Sequence, residues 1–296
     1  MRCLGPLGLA LALAGCSIRG LAINAVAASL AASGDVYASD GDPELIRQAT
    51  PFALKTIEGL LAEKPDHPGL LLSACRGFTQ YAYAFVELDA ERLQESDFEA
   101  AERGYERALE LYLRGRDYCL RGLENRLPGA RVALETDPER ALAAARVEDA
   151  PLLYWTAASW GAAISVGLDR PDLTVDLPAV KALVARVEEL DADYENGAVH
   201  EVLMVLATLP EALGGSPERA RRHFERAVEL SEGKSAAPYV ALAESMVASQ
   251  DRGRFDELLK QALAIDPDAA PSRRLANVLA QDRARWLLSR AEELFL

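Results

Sequence analysis

Histidine and cysteine are both scarce in this sequence of 296 residues, which contains three of the first and four of the second. His67, His200 and His223 stand in three separate segments, and no pair of histidines or cysteines has the spacing of a common zinc motif. The sequence also lacks the glycine-rich phosphate loops and the nucleophile elbow that mark nucleotide-binding proteins and hydrolases. We therefore expect no metal site, no cofactor and no enzymatic activity.

Basic residues and long apolar runs are in short supply as well. The chain has 32 lysines and arginines against 46 aspartates and glutamates, a net charge of −14. An acidic surface repels phosphate backbones and anionic lipid headgroups, which argues against a nucleic-acid partner and against electrostatic docking on a membrane. No stretch after residue 16 approaches 18 uncharged apolar residues, so we expect no membrane-spanning helix there.

The N-terminus carries a short apolar run, residues 4–14, which follows Arg2 and ends just before Gly15 and Cys16. This length is typical of a signal peptide and too short to cross a bilayer. Small residues before a cysteine resemble a bacterial lipoprotein processing site, which predicts a signal peptide over 1–15 and acyl chains on Cys16. The protein would then be periplasmic and anchored to the inner or outer membrane through lipid alone. The alternative is an ordinary secretory signal with an incidental cysteine.

Helix-start signals recur along the chain, whereas the alternation typical of strands is almost absent. Asp42, Asp137 and Ser216 are each followed by a proline and then a glutamate, which are the preferred residues of a helix N-terminus. This pattern predicts an all-α protein of about a dozen helices. We expect residues 16–41 to form the anchor and an N-terminal helix, and residues 42–296 to form one helical domain.

A degenerate internal repeat runs through the helical domain. It consists of a small residue, a bulky residue four positions later and a small residue three positions after that. The best matches are Ala101-Tyr105-Ala108 and Ala220-Phe224-Ala227. This spacing is the tail of the tetratricopeptide pattern, and it predicts degenerate tetratricopeptide-like helix hairpins stacked into a compact solenoid.

Two cysteines, Cys75 and Cys119, lie inside predicted helices. If the turn between these helices is the polar stretch 89–97, Cys119 lies about 12 Å along the helix from the residue opposite Cys75. The Cα atoms of a disulfide are separated by less than about 7 Å. We therefore expect two buried free thiols, with a disulfide as the alternative that an oxidising compartment permits.

Aromatic residues make up only 6% of the chain, and they cluster in two segments. Large rings can line a groove for an apolar ligand, although each one can equally be a core residue. In the first segment Tyr83 points away from the face that its neighbours share, and in the second the two tryptophans are five residues apart and face different ways. The candidates for the lining of a ligand cleft are Phe78, Tyr81, Phe85, Tyr154, Trp155 and Trp160.

Several segments, in the same order along the chain, resemble the TatT family, the T component of tripartite ATP-independent periplasmic (TRAP) transporters. The resemblance covers nearly the whole mature chain, and it is weakest over residues 127–147. The segments that carry it include Asp42-Pro43-Glu44-Leu45, Gly77-Phe78-Thr79-Gln80-Tyr81, Leu153-Tyr154-Trp155-Thr156, Gly197-Ala198-Val199-His200, Arg221-Arg222-His223-Phe224 and Arg283-Ala284-Arg285-Trp286.

The resemblance implies a periplasmic lipoprotein that forms a homotrimer and associates with the P component, the solute-binding protein of the transporter. It also implies a cleft or pore lined with apolar residues, through which a hydrophobic small molecule could pass between the two proteins. A rival from another functional class is a tetratricopeptide scaffold of an envelope-assembly complex that grips an extended peptide and holds no small molecule.

Overall fold

The computed structural model describes Val26, Ser29 and residues 34–295. The predicted signal peptide, the lipidation site at Cys16 and nearly all of the predicted N-terminal helix lie outside the described residues. Within residues 34–295 every regular element is a helix, and this part of the chain contains no β-strand. The predicted all-α fold class is confirmed.

The described chain forms sixteen α-helices, several of them only one or two turns long. One π-helical turn, Tyr83–Glu87, interrupts the helix that begins at Pro68. The helices are α1 Gly34–Ala38, α2 Pro43–Glu63, α3 Pro68–Ala82, α4 Leu88–Leu93, α5 Phe98–Arg126, α6 Ala130–Thr136, α7 Pro138–Leu142, α8 Ala150–Val166, α9 Pro171–Thr174, α10 Leu177–Leu190, α11 Ala198–Ala207, α12 Pro217–Leu230, α13 Ala237–Ala248, α14 Arg252–Ala264, α15 Arg274–Ser289 and α16 Ala291–Leu294.

The predicted helix-start signals work as capping residues. The side chain of Asp42 accepts hydrogen bonds from the backbone N–H groups of Glu44 and Leu45 at the start of α2. Asp137 and Ser216 accept a bond three residues ahead in the same way. Each cap satisfies a backbone donor that has no partner inside its helix, which is why these residues fix where the helices begin.

Helices that are close in the chain pack against each other, as helix hairpins do. The most extensive contacts join α3 to α5, α5 to α8, α8 to α10, α11 to α12 and α13 to α14. The predicted repeat positions lie in these contacts: Ala101, Ala108, Ala220 and Ala227 are buried, as is Phe224. The assignment of these hairpins to tetratricopeptide repeats stays a prediction.

Two large apolar clusters fill the body. The first is built around α5, α8 and α10, where Tyr112, Leu153 and Leu183 are fully buried. The second is built around α11 to α15, with Met204 and Phe255 fully buried. Burial of this kind stabilises the fold by about 1.5–3 kcal/mol for each large side chain. Apolar burial therefore holds neighbouring helices together along the whole described chain.

The C-terminal helix α15 also reaches back to the beginning of the chain. It packs on α14 and α13 and then contacts α1 and α2. Leu275 and Leu279 of α15 lie in one apolar cluster with Ile46 of α2 and with Phe85 of the π-helical turn. The helices thus close on themselves, and within the closed body α3 contacts α8 and α11 contacts α13.

A disulfide joins Cys75 of α3 to Cys119 of α5, with the two Cα atoms 5.4 Å apart. The expectation of free thiols is wrong because it placed the turn too early in the chain. The helical path continues through the π-helical turn to the end of α4 at Leu93, so the two helices meet in a shifted register. In that register Gly115 of α5 lies against the backbone of Cys75, since a Cβ atom added at Gly115 would be 3.1 Å from the Cys75 carbonyl oxygen. Cys119, about one turn further along α5, therefore reaches Cys75.

Candidate functional site

Four of the six aromatic cleft candidates are buried, and three of these, Phe78, Trp155 and Trp160, are packed inside the helical body. Phe78 is stacked on Tyr118 with ring centroids 5.9 Å apart. Trp160 is buried, and its indole Nε1 donates a hydrogen bond to a carboxylate oxygen of Asp176 over 3.2 Å. Trp155 is buried beside the disulfide. These three rings are walls of the body and offer little surface to a ligand.

The other three candidates, Tyr81, Phe85 and Tyr154, lie in two different places. Tyr81 is half-buried against Phe85, with ring centroids 5.7 Å apart. Tyr154 is half-buried on α8 and contacts the ring of Tyr194, 5.0 Å away, just before α11. The structure therefore does not bring the six predicted residues onto one common surface.

Phe85 lines a cavity of about 260 Å³ between α2, the π-helical turn and α15. Leu88 and Leu279 contribute further apolar wall, while charged side chains stand at its mouth. The guanidinium carbon of Arg47 lies 4.9 Å from the Phe85 ring centroid, and this arginine also forms an ion pair with Asp89. The volume is close to the lower end of the range of small-molecule sites, which begins at about 300 Å³.

A second surface of interest follows one face of α3 into the π-helical turn. Arg76, Gln80, Tyr83 and Glu87 recur at intervals of four and three residues, which places them in one stripe. The buried residues of this helix, which pack against α5, lie on its other side. Insertions of a π-helical turn are frequent at functional sites, since they redirect side chains that a regular helix would place elsewhere.

At one end of this stripe the Arg76 guanidinium lies 5.5 Å from the Trp155 ring on α8. At the other end Tyr83 and Glu87 are close enough to α13 and α15 for the charges of Glu244 and Arg283 to act on them. We refer to two tyrosine–glutamate pairs together as the inner recess: the Glu244 charge acts on the Tyr83 phenol, and the Glu201 charge acts on the Tyr154 phenol.

Tyr83 shows the character of the inner recess most clearly. Its residue is 48% exposed to water, yet burial raises the pKa of its phenol well above the usual value, and the Glu244 carboxylate raises it further. A side chain can be both accessible and desolvated only where protein surrounds it at a short distance. Protein therefore surrounds the exposed side of Tyr83 at a short distance.

The acidic groups of the interior respond to the same environment. Burial raises the pKa of Glu201 to about 7, against the opposing effects of Arg273 and of a hydrogen bond from Ser235. Burial likewise raises the pKa of Glu87 to about 7, although the Tyr112 hydroxyl donates a hydrogen bond to its carboxylate. Near neutral pH a substantial fraction of these carboxyl groups is uncharged, so the interior is less polar than its residue types suggest.

One arginine ties the two ends of the chain together beside the inner recess. The Nε of Arg283 donates a hydrogen bond to Glu244 over 2.7 Å, and its Nη2 donates one to Glu91 over 2.7 Å. Arg290, which follows the last residue of α15, pairs with Glu95. We call this set the closing contact; it spans 192 residues of sequence between Glu91 and Arg283.

The two histidines of the second half of the chain also meet. His200 on α11 and His223 on α12 face each other with their Nδ1 atoms 3.0 Å apart and ring centroids 5.3 Å apart. A carboxylate oxygen of Glu188 on α10 lies 3.7 Å from the His200 Nδ1 and 4.0 Å from the His223 Nδ1. The expectation of no metal site rested on the separation of these histidines in the sequence. In the folded chain the two side chains are in contact.

The polar residues of the interior were thus not predicted from the sequence, and only Tyr83 could have been recognised from it. The helical spacing predicts that Tyr83 lies on a different face from Phe78, Tyr81 and Phe85. The acidic residues at positions 87, 201 and 244 were not predicted as site residues, because nothing in their local sequence shows that the chain closes over them.

Comparison with known proteins decides the family. The TAtT family, described as the TRAP transporter T-component, matches residues 39–295. An uncharacterized protein of Treponema pallidum (strain Nichols) is 33% identical over 303 residues, which cover 96% of this chain and 94% of that protein. This chain belongs to the TRAP transporter T-component family. The resemblance noted in the sequence is confirmed.

As a T component, the protein belongs to a family of accessory, extracytoplasmic components of TRAP transporters, which is not an enzyme family. Membership supports an accessory role in TRAP transport and an association with the transporter. Among the described residues of this T component, no helix is both long and apolar enough to cross a membrane.

Proposed function

We propose that this T component is a periplasmic lipoprotein that holds an apolar ligand in the inner recess and docks with the P component of its transporter. The family match over residues 39–295 supports the transport role. The lipoprotein-type sequence before Cys16 supports the anchor. As in the resemblance described above, the working form would be a homotrimer.

The half-exposed but desolvated side chain of Tyr83 is the observation that carries the ligand proposal. A ring in this setting gives an apolar molecule a surface from which water is easily displaced. The nearby carboxyl groups with pKa values near 7 do not oppose this, since in their neutral form they can hydrogen-bond to a polar end of the ligand.

Among the original cleft candidates, Tyr154 borders the inner recess, because the charge of Glu201 acts on its phenol. Phe85 borders the separate cavity beside α15, and Tyr81 packs against Phe85. Phe78, Trp155 and Trp160 would support these surfaces from behind. We therefore assign ligand contact to Tyr83 and Tyr154 first. The exchange of ligand with the P component would be a physical transfer in which no covalent bond is made or broken.

The ligand proposal is tested by native mass spectrometry of the full chain purified under non-denaturing conditions. We expect a bound small-molecule mass that is released on denaturation. Tyr83→Ala should weaken retention by about tenfold through the loss of apolar contact area. Tyr83→Phe keeps the ring and serves as the matched control, with retention close to that of the wild type. A chain that carries no added mass, and takes up none from a lipid extract, would contradict the proposal and favour the scaffold function.

The anchor is tested separately by Cys16→Ala. We expect this variant to leave the membrane fraction and appear in the soluble periplasmic fraction, since the acyl chains provide the membrane contact. Cys119→Ala, which alters a cysteine inside the helical body, is the control and should stay with the membrane. Persistent membrane association of the Cys16→Ala chain would contradict the lipoprotein assignment.

A further inference from the structure

The cluster formed by Glu188, His200 and His223 is the strongest unexplained group of side chains in the described part of the chain. It offers two imidazole nitrogens and one carboxylate oxygen, which all lie within 4.8 Å of one another. The three residues come from α10, α11 and α12, three successive helices of the body. Neither the transport role nor the inner recess makes use of them.

The spacing of the donor atoms is close to that around a bound metal ion. Two ligands held at about 2.0–2.1 Å in a tetrahedral zinc site are about 3.3 Å apart. The two Nδ1 atoms are 3.0 Å apart, and the Glu188 oxygen is 3.7 and 4.0 Å from them. Shifts of a few tenths of an ångström in side chains on adjacent helices would bring all three atoms onto one ion.

The environment also favours ligation. Burial lowers the pKa of both histidines, so their imidazoles are neutral and able to bind a metal at neutral pH. The Glu188 carboxylate opposes this effect on each ring and would offset part of the charge of a cation. The nearby positive charge of Arg226 is itself engaged, since its guanidinium donates to Asp193 and Glu229.

The solvent accessibility of the three side chains also permits an ion to bind. His200 is nearly inaccessible, with 7% of its side chain exposed, and His223 has 18% exposed. Glu188 is the open side of the cluster, with 37% of its side chain exposed. An ion could enter past the carboxylate and keep a water molecule as its fourth ligand, which is the arrangement of zinc sites with three protein ligands.

We propose that Glu188, His200 and His223 bind a first-row transition-metal ion, with Zn²⁺ as the preferred occupant. Two nitrogen ligands select such ions over Mg²⁺ and Ca²⁺, which bind through oxygen atoms. A bound ion would fasten three helices at one point. Because Glu201 of the inner recess directly follows His200, occupancy would also fix the stretch of α11 that faces the interior.

The test is equilibrium dialysis of the full chain, carrying a tag without histidine, against ZnCl₂ after removal of metals with EDTA. We expect one zinc ion per chain and a rise in the unfolding temperature with Zn²⁺ but not with Mg²⁺. Titration with Co²⁺ should give the intense visible absorption of a tetrahedral complex. His223→Gln should weaken zinc binding by more than about 100-fold, because even loss of a residue that only hydrogen-bonds to a ligand costs about 10–100-fold.

The remaining histidine provides a matched control. His67 caps α3, where its Nδ1 accepts a hydrogen bond from the backbone N–H of Leu70, and His67→Asn keeps a capping acceptor. This variant should bind zinc like the wild type. Glu188→Gln changes the most exposed of the three ligands and should weaken binding by about tenfold or more while the helical circular-dichroism spectrum stays unchanged. A wild-type chain that binds no zinc, or equal binding by wild type and the Glu188→Gln and His223→Gln variants, would overturn the proposal.

Discussion

At the contact of α3 with α5, two helices that are neighbours in the chain meet through buried apolar side chains and one disulfide. At the closing contact, the late helix α15 meets α13 and the much earlier α4 through Arg283, Glu244 and Glu91. The first contact excludes water; in the second, 25% of the Glu91 side chain and 36% of the Glu244 side chain remain exposed. Apolar burial is stronger and is not weakened by electrostatic screening, whereas partly exposed ion pairs are weaker and are screened by salt.

This difference suggests how a closed helical body can hold an accessible interior. Where the chain folds back locally, buried apolar side chains hold the two helices of a hairpin together. The closure between α15 and the first part of the chain combines the ion pairs of Arg283 with the apolar contacts of Leu275 and Leu279.

The largest effect should come from breaking the covalent part of the hairpin contact. Cys75→Ala combined with Cys119→Ala removes a cross-link across a sequence separation of 44 residues and should destabilise the protein by about 2–4 kcal/mol. Thermal unfolding followed by circular dichroism measures the loss. As a control, a reducing agent should lower the unfolding temperature of the wild type and leave that of the double variant unchanged. Equal unfolding temperatures for both proteins under oxidising conditions would show that the cross-link does not stabilise α3 against α5.

A smaller effect should follow from breaking the closing contact. Arg283→Met leaves Glu91 and Glu244 without their partner and should cost about 1–2 kcal/mol, less than for a fully buried pair because both carboxylates are partly exposed. Urea unfolding at low and high salt measures the cost and should show a smaller difference from the wild type at high salt. Arg285→Met, two residues away on α15, removes only an exposed pair with Asp282 and should change little. A loss of stability that is independent of salt would mean that Arg283 acts through packing.

The last effect appears only when the pH is changed and concerns Glu87, whose pKa burial raises from its ordinary value of 4.5 to about 7. The folded state holds this proton more tightly than the unfolded chain, so stability falls as the pH rises from about 4.5 to about 7 and then stays level. Glu87→Gln keeps an acceptor for the Tyr112 hydroxyl and should remove this decline, a difference of about 1–2 kcal/mol between pH 5 and pH 8. Chemical unfolding at both pH values measures it. Glu99→Gln, at an exposed position on α5, is the control, and a pH profile of Glu87→Gln that matches the wild type would contradict the assignment.

Local chemistry allowed much of the fold to be predicted. The caps at Asp42, Asp137 and Ser216 depend on side chains within three residues of the bonds that they make, and the buried position of Phe224 follows from helical spacing. The disulfide was missed because the pairing of Cys75 with Cys119 depends on where the turn lies, and the π-helical turn and α4 moved it by several residues.

The candidate sites could be predicted less well, for the same physical reason at a larger scale. His200 and His223 are 23 residues apart in sequence and meet only because α11 packs on α12. Glu91 and Arg283 meet only because α15 returns to the start of the chain. The spacing of residues within one helix does not show which distant helices come into contact. The aromatic residues were therefore predicted as site candidates, and the ionisable residues of the interior were not.

The central claim, that this T component works together with a solute-binding P component, is tested most directly by mixing the full chain with the purified P component of its own transporter. Native mass spectrometry of the mixture reports mass and stoichiometry in one measurement. The account predicts a complex of defined stoichiometry at micromolar concentrations, with a trimer of this chain as its core. Two folded proteins that remain separate at those concentrations, with or without added solute, would contradict it.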